Sequence, residues 1–189
     1  MNIVIMAGGR AKRLGGIEKP LLSICNKPII KHILDEAVKI SNNIYVAVSQ
    51  HTPLTRKWCL ENNVNIIMTP GKGYPLDIEV VLRKVEKPTL ILPADTPFIT
   101  IEVLQEFLRE ALRLDKSIIT LIASRRCFPQ KLASHETSPI GISLFKRNGT
   151  DWANISMCRF PELLDIDTLI DLEYARRLCH EISWWKFLG

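Results

Sequence analysis

Two kinds of hydrophobic spacing alternate along this chain. Short continuous apolar runs, which predict strands buried on both faces, occur at residues 3–7, 44–48, 64–68, 89–92, 117–123 and 140–145. Between these runs, apolar residues recur three and four positions apart, as expected for amphipathic helices. Strands that alternate with helices through short loops predict an α/β fold, with a mostly parallel sheet covered by helices on both faces.

Several polar residues mark where the predicted helices begin. Residues 26–28 predict a helix start, because Pro28 stands near the first helical position, where its missing N–H costs nothing. Thr100 is placed to cap the helix after the fourth strand, and Thr168 with Asp171 resembles a capping box that opens the last helix. Residues 125–139 are polar and irregular, so we expect a surface excursion there.

The loops that follow the strands are the candidate binding site. In open parallel sheets, ligands bind beyond the carboxyl ends of the strands. Four loops, at residues 8–19, 49–52, 69–74 and 95–98, occupy such positions and are expected to converge.

The first of these loops has the composition of a phosphate-binding turn. Gly8 and Gly9 follow the first strand directly, so the backbone can turn sharply and approach a ligand. The cations that follow within eleven residues are Arg10, Lys12, Arg13 and Lys19. Neither a Walker loop nor a dinucleotide fingerprint fits, because no glycine precedes a lysine here and the glycines are adjacent. The loop therefore predicts a different class of phosphate site.

Its residues resemble the signature of nucleotidyltransferases related to sugar-nucleotide pyrophosphorylases, which reads apolar-Ala-Gly-Gly, then Arg-Leu/Met-Gly, then Lys-Pro. The matching positions are Ala7, Gly8, Gly9, Arg13, Leu14, Gly15, Lys19 and Pro20. The resemblance implies one domain over residues 1–189 with a Rossmann-like nucleotidyltransferase fold. It also implies that Ala7, Gly8, Gly9, Arg13 and Lys19 bind the nucleotide, with Arg13 and Lys19 on the triphosphate. Arg10 departs from the small residue often found after the glycine pair, and either a phosphate contact or a solvent position fits it.

Asp95 is the candidate metal ligand. It follows the fourth strand in Ala94-Asp95-Thr96-Pro97-Phe98, and a turn aspartate there could instead cap the next helix. Thr100 is better placed for that cap, and Mg²⁺ prefers one or two carboxylates together with phosphate oxygens. The segment also resembles the metal-binding segment of the same family. In residues 165–168, which resemble a late segment of the molybdopterin branch, Asp167 fits either a second metal ligand or the helix cap.

The loop at residues 69–74 indicates a branch of this family. Its sequence Thr-Pro-Gly-Lys-Gly-Tyr, with Asp77 soon after, resembles the corresponding segment of archaeal adenosylcobinamide-phosphate guanylyltransferases, although an ordinary strand-to-helix turn has similar residues. The resemblance implies GTP as donor, Mg²⁺ as cofactor and a phosphate-bearing corrinoid as acceptor. In that reaction GMP is transferred and pyrophosphate is released, in the synthesis of the corrinoid coenzyme. It further implies that Gly71, Gly73 and Tyr74 help to bind the nucleoside.

The chemistry expected of such a site is electrostatic. Mg²⁺ on Asp95, together with Arg13 and Lys19, would stabilise charge on the departing pyrophosphate. An acceptor phosphate is already anionic at neutral pH, with a second pKa near ~6, and needs no general base. Two alternatives remain: a molybdopterin guanylyl- or cytidylyltransferase, and a nucleotide-binding protein without catalytic activity.

Composition and charge argue against other classes of protein. The net charge of +5 is modest, and a basic stripe with interleaved aromatic residues, as nucleic-acid binding would require, is missing outside the first loop. Apolar runs are too short for a membrane span. Five widely spaced cysteines without Cys-x-x-Cys predict reduced thiols in a cytoplasm. The apolar tail at residues 184–188 is expected to pack on the body or on a second subunit, which would give a homodimer.

Overall fold

The computed structural model describes residues 1–10, 15, 17–132 and 137–187. Its strands are β1 (Asn2–Met6), β2 (Ser23–Ile24), β3 (Lys27–Pro28), β4 (Ile44–Val48), β5 (Asn65–Met68), β6 (Thr89–Pro93), β7 (Ile118–Ser124), β8 (Thr137–Phe145) and β9 (Trp152–Met157). Its α-helices are α1 (Ile29–Ala37), α2 (Pro53–Glu61), α3 (Tyr74–Lys84), α4 (Ile101–Arg113) and α5 (Leu169–Phe187). Single 3-10 turns lie at Lys19–Leu21, Arg125–Cys127 and Gln130–Leu132.

Within the described residues, seven strands form one sheet in the order β5-β4-β1-β6-β8-β7-β9. Parallel pairing joins β5, β4, β1 and β6, and it also joins β7 to β9. Strand β8 runs antiparallel to both of its neighbours. The predicted mostly parallel α/β sheet is therefore confirmed.

Helices cover both faces of this sheet, as predicted. Alternate residues of the buried strands point to opposite faces, so Ile3 and Val4 belong to different apolar clusters. Val4 packs with Val81 of α3 on one face. On the other face, the larger cluster contains residues of α1, α2, α4 and α5.

The short hairpin of β2 and β3 corrects one prediction. Cys25 and Asn26 form its two-residue turn with φ of 47° and 62°, the left-handed backbone that such turns require. Asn26 therefore does not begin a helix. Helix α1 begins at Ile29, and Pro28 occupies the position before it.

Within residues 125–139, the described positions 125–132 and 137–139 contain more regular structure than their polar composition predicted. Phe128 and Leu132 are buried in the main core, and β8 already begins at Thr137. The predicted irregular surface excursion is therefore wrong in part. The residues that give 125–139 its polar appearance include Arg125, whose side chain is only 10% exposed because it pairs with Asp165.

The cysteines also differ from the prediction. Disulfides join Cys25 to Cys179 and Cys127 to Cys158, and Cys59 is the free cysteine, buried in α2. Wide spacing in the chain conceals these pairs because the fold brings together residues that are 154 and 31 positions apart. The prediction of reduced thiols is wrong in this structure, and a cytoplasmic location loses the observation on which it rested. None of the helices in the described ranges combines the length and apolar character that a membrane span requires.

Candidate active site

A cleft of about 570 Å³ opens at the carboxyl ends of β1, β5 and β6. The residues that line it are Met6, Gly8, Gly9, Arg10, Gly71, Lys72, Gly73, Tyr74, Asp77, Pro93, Ala94, Asp95, Pro139, Ile140, Gly141, Asp165 and Asp167. Three of the four predicted loops thus contribute to one cavity. The fourth, at residues 49–52, does not line the cavity but contacts the first loop through Ser49.

Gly8, Gly9, Gly71 and Gly73 form one wall of the cleft, called here the glycine wall. Its loops approach each other closely through their backbones. Ser49 Oγ donates a hydrogen bond of 2.8 Å to the carbonyl oxygen of Gly8, which ties the first loop to the second. Gly71 lies against the same serine, where an added Cβ would come within 2.8 Å of Ser49 Oγ and of His51 Cδ2. Gly71 also has φ of +65°, a conformation that glycine adopts readily. A side chain at position 71 would therefore push the two loops apart.

Asp77, in the first turn of α3, holds the loop at residues 69–74 in place. Its Oδ1 accepts a hydrogen bond of 2.9 Å from the backbone N–H of Gly71, and Asp77 is buried in the first turn of α3. The carboxylate thereby satisfies a backbone donor that the turn would otherwise bury unpaired. The sequence signal for this role was the spacing of six residues from Gly71 to Asp77.

Arg10 has a partner at the rim of the cleft. Its Nε donates to Nε2 of His51 over 3.0 Å, and the residue also lines the cavity. Arg10 is exposed to solvent as well as lining the cleft, so both alternatives considered for it from the sequence stay open.

Three charged side chains, those of Lys19, Asp95 and Asp167, meet at another wall of the cleft. Lys19 Nζ donates to Asp167 Oδ1 over 2.5 Å and lies 3.5 Å from Asp95 Oδ2. A backbone hydrogen bond of 2.9 Å from Ile166 N to the carbonyl oxygen of Asp95 brings the two aspartate segments together. Strand β6 thus supplies one carboxylate, and the segment before α5 supplies the other.

The electrostatics of this wall shift two pKa values. Burial raises the pKa of Asp95 to about 6; the attraction of Lys19 opposes this rise, and repulsion from Asp165 and Asp167 adds to it. Burial tends to lower the pKa of the Lys19 ammonium, but attraction to Asp95 and the hydrogen bond to Asp167 outweigh it and raise that pKa. Lys19 is therefore a protonated cation at neutral pH.

A second ion pair supports the same wall. Arg125 Nη2 donates to Asp165 Oδ1 over 2.7 Å and to Ser138 Oγ over 2.8 Å. Asp165 lines the cleft, so this pair links the cavity to β8. Sequence reasoning did not assign a role to Arg125 or Asp165, and the only available signal was that Asp165 precedes Asp167 by two residues.

Tyr74 and Gly141 lie across one end of the cavity. The hydroxyl of Tyr74 donates a long hydrogen bond of 3.4 Å to the carbonyl oxygen of Gly141. Gly141 has φ of +81°, and the register of β7 against β8 shifts between Thr120 and Ile122. The predicted irregularity at Gly141 is confirmed.

Most of the predicted site residues lie together. Those that line the cleft are Gly8, Gly9, Gly71, Gly73, Tyr74, Asp95 and Asp167. Ala7 is buried at the end of β1 beside Gly8, and Lys19 contacts the two carboxylates of the wall. Arg13 lies outside the described residues. The role of each residue in catalysis or binding stays a prediction.

The donor set suits a hard divalent cation. Asp95 and Asp167 each place a carboxylate oxygen within 3.5 Å of the same ammonium nitrogen, so both can reach one positive charge. Among the described residues, no group of three or more His, Cys, Asp or Glu side chains is arranged for a metal. Two carboxylates with remaining ligands from phosphate and water match the preference of Mg²⁺.

Comparison with protein families assigns this architecture. A family model described as a MobA-like NTP transferase domain matches residues 3–146. The chain belongs to this family. The resemblance to nucleotidyltransferases that the first loop indicated is therefore confirmed at the level of the family.

Curated relatives include two kinds of guanylyltransferase. The chain is 35% identical over 101 residues to the adenosylcobinamide-phosphate guanylyltransferase of Methanocaldococcus jannaschii, a match that covers 50% of this chain and 52% of the relative. It is 24% identical over 123 residues to the molybdenum cofactor guanylyltransferase of Histophilus somni, covering 63% and 60%. The chain thus spans about half the length of the first relative.

Solved structures of nucleotide-handling proteins share the fold over nearly the whole chain. CMP:2-keto-3-deoxy-manno-octonic acid synthetase complexed with CTP superposes with a TM-score of 0.71 at 18% identity, covering 95% of this chain and 98% of that one. Molybdopterin-guanine dinucleotide biosynthesis protein A from Archaeoglobus fulgidus has the same TM-score at 16% identity, covering 96% and 100%. At these identities the likeness concerns the fold.

Proposed function

We propose that this nucleotidyltransferase-family chain transfers GMP from GTP to the phosphate of adenosylcobinamide phosphate, with release of pyrophosphate. The observation that carries the proposal is that Asp95 and Asp167, both paired with Lys19, line the same cleft as Gly8 and Gly9. The M. jannaschii relative supports the corrinoid acceptor, because it matches this chain at 35% identity under that name.

The glycine wall is the proposed place for the nucleotide. Gly8 and Gly9 present no side chain to the cleft, so the triphosphate can approach the backbone there. The loop of Gly71, Gly73 and Tyr74, held by Asp77 and Ser49, would border the nucleoside. Lys19, and Arg13 from the first loop, would place positive charge on the phosphates and on the pyrophosphate as it leaves.

Asp95 and Asp167 would hold a magnesium ion. When bound, that ion would neutralise phosphate charge and orient the triphosphate. Lys19, now on both carboxylates, would then share them with the ion and direct part of its charge towards the phosphates. The proposal assigns proton transfer to no side chain, because the acceptor phosphate is anionic at neutral pH with a second pKa near ~6. Positioning and electrostatics would supply the rate.

A molybdopterin acceptor is the second candidate. The specific observation in its favour is the match of 123 residues to the H. somni enzyme, which covers more of this chain than the match to the corrinoid enzyme does. The higher identity and the sequence of the loop at residues 69–74 favour the corrinoid.

The test is a matrix of donors and acceptors. Pyrophosphate release is measured with GTP, ATP, CTP and UTP and Mg²⁺, against adenosylcobinamide phosphate and against molybdopterin. We expect release with GTP and the corrinoid, none when EDTA is added, and at least a hundredfold less when Asp95 is changed to Asn. Turnover with molybdopterin alone would establish the second candidate. Tight GTP binding without pyrophosphate from either acceptor would instead indicate a nucleotide-binding protein.

A further inference from the structure

Glu18, which directly precedes Lys19, is buried and points away from the cleft. Its exposed fraction is only 9%, and its carboxylate accepts three hydrogen bonds. Oε1 accepts from the backbone N–H of Leu54 over 2.8 Å, while Oε2 accepts from the backbone N–H and the hydroxyl of Thr55, both over 2.6 Å. All three donors lie in the first turn of α2.

Helix α2 needs this carboxylate because its own cap is occupied. Thr52, in the N-cap position, makes no side-chain cap bond. Its hydroxyl oxygen instead accepts from the backbone N–H of Ser49 over 3.1 Å. The first N–H groups of a helix have no partner within the helix, so those of Leu54 and Thr55 would be left unpaired, the latter in a fully buried residue. A negative charge also interacts favourably with the positive end of the helix dipole.

This anchor fixes the backbone that carries Lys19. Leu21 N donates to the carbonyl oxygen of Glu18 over 3.0 Å, and Leu22 N donates to that of Lys19 over 3.0 Å, so both residues belong to one tight 3-10 turn. Glu18 is held by α2 while its neighbour Lys19 reaches Asp95 and Asp167. The position of the ammonium therefore depends on a helix that contributes nothing to the cavity lining itself.

We propose that Glu18 is a positioning residue for Lys19, and that it acts by capping α2 from a distant part of the chain. For turnover, this inference rests on the proposed function of the site. If Lys19 binds the triphosphate, loosening its backbone weakens the nucleotide complex and the transition state alike. Loss of such uniform binding raises KM with little change in kcat.

The chain offers a matched control at another helix. Ile101 N, at the start of α4, donates over 2.8 Å to Oε2 of Glu36, and Thr100 in the N-cap position makes no side-chain cap bond there. Glu36 thus also caps a helix from a distant part of the chain, with one backbone bond and an ion pair to Lys39 in place of three bonds, and it neither lines the cleft nor neighbours a predicted site residue.

The experiment compares Glu18→Gln with Glu36→Gln. An amide nitrogen cannot accept a hydrogen bond, so each variant weakens one cap. We expect both to lower the melting temperature, whereas only Glu18→Gln raises the KM for GTP, about tenfold, with kcat within threefold of the original. An equal KM in Glu18→Gln and the unchanged protein, or an equal rise in Glu36→Gln, would overturn the inference.

A second readout does not depend on the reaction. The rate at which an amine-reactive acylating reagent modifies Lys19 is followed by mass spectrometry. We expect that rate to rise severalfold in Glu18→Gln and to stay unchanged in Glu36→Gln. Should Glu18→Gln fail to fold, Thr55→Val removes only the hydroxyl bond and should give a smaller rise. If the unchanged protein shows no turnover, the proposed function fails. The modification rates still decide the positioning role, and equal rates would refute it.

Discussion

Asp95 shows how a single residue can be unfavourable for the fold and suited to a charged ligand. Its carboxylate is 26% exposed and has a pKa of about 6, because burial disfavours its charged form more than Lys19 favours it. A cation that enters the cleft would therefore stabilise the ionised form of this carboxylate. Residues with strongly shifted pKa values are often found where a site is built.

Removing this charge should stabilise the ligand-free protein. Because the folded-state pKa lies above the ordinary value, the contribution of Asp95 favours the folded state below about pH 4 and is lost as the pH rises through 6. A shift of this size corresponds to about 3 kcal/mol, and access of water reduces it. We expect Asp95→Asn to raise the free energy of unfolding by roughly 1–2 kcal/mol at pH 7.5.

Urea unfolding with EDTA at pH 5 and pH 7.5 measures this effect. At pH 5 the difference between variant and parent should be about half of that at pH 7.5, because Asp95 is then mostly protonated in the folded protein but still loses its proton on unfolding. A stabilisation that is equal at both pH values would contradict the assigned cause. Pyrophosphate release should meanwhile fall by at least a hundredfold, the size of effect typical for loss of one electrostatic group.

Lys19 should hold the pKa of Asp95 down. Changing Lys19 to Met removes the attraction that opposes burial, so we expect the pKa of Asp95 to rise above 6. Carbon-detected NMR of labelled aspartate carboxylates across pH 4–9 measures it. Asp35, which pairs with Lys27 and Lys31 elsewhere on the surface, serves as the internal reference and should not move. An unchanged Asp95 titration would argue against the contact.

Among single residues, the sequence predicts those that directly follow a predicted strand. Asp95 and Gly8 follow buried strands, and the carboxyl ends of parallel strands meet at one edge, so their convergence could be expected. Glu18 could not be found in this way. Its partner helix begins 35 positions later, and only the three-dimensional arrangement brings it to Leu54 and Thr55.

At the scale of elements, the turn at Gly71 is the most sensitive to substitution. Gly71→Ala adds a Cβ within 2.8 Å of Ser49 Oγ and of His51 Cδ2 at a φ of +65°. A left-handed conformation costs a non-glycine residue about 1–2 kcal/mol, and overpacking typically adds about 1–3. We expect the free energy of unfolding to fall by roughly 2–4 kcal/mol in urea unfolding.

Gly9→Ala is the matched comparison for that loss. An added Cβ at Gly9 meets nothing within 4 Å, and its φ is not among the positive values. Its stability should therefore stay within about 0.5 kcal/mol of the parent, as for most open positions. A loss equal to that of Gly71→Ala would refute the steric explanation.

Elements with a strong apolar pattern were predictable, and elements defined by distant partners were not. Five of the six predicted strands both begin and end within one residue of the observed bounds, because apolar residues dominate each of them. The hairpin of β2 and β3 is only four strand residues long and has no such run. Strand β9 mixes Asn154 and Ser156 with apolar residues, and its place is set by pairing with β7.

For the whole molecule, the two disulfides make a direct prediction. Thiol titration of the denatured protein should give one free cysteine before reduction and five after it. Reduction should also lower the midpoint of unfolding. In the chain-entropy description a longer closed loop is stabilised more, so Cys179→Ser should cost more than Cys158→Ser, by about 1 kcal/mol. Five free thiols in the untreated protein would refute both pairs.

The global architecture followed from the order of strands and helices alone. What the order could not predict was β8, which enters the sheet antiparallel between β6 and β7. Among the described residues that precede it, Phe128 and Leu132 are buried although the composition around them is polar. The two disulfides could not be predicted either, because contacts between residues far apart in the sequence leave no periodic pattern in it.

The family match ends at residue 146, yet Asp165 and Asp167 belong to the cavity, and Cys179 is bonded back to the hairpin at Cys25. A protein engineer who excised only the shared portion as a ready-made scaffold would remove both of these acidic groups and the covalent tie. A shortened version meant to keep the cleft intact should therefore retain the residues up to Cys179.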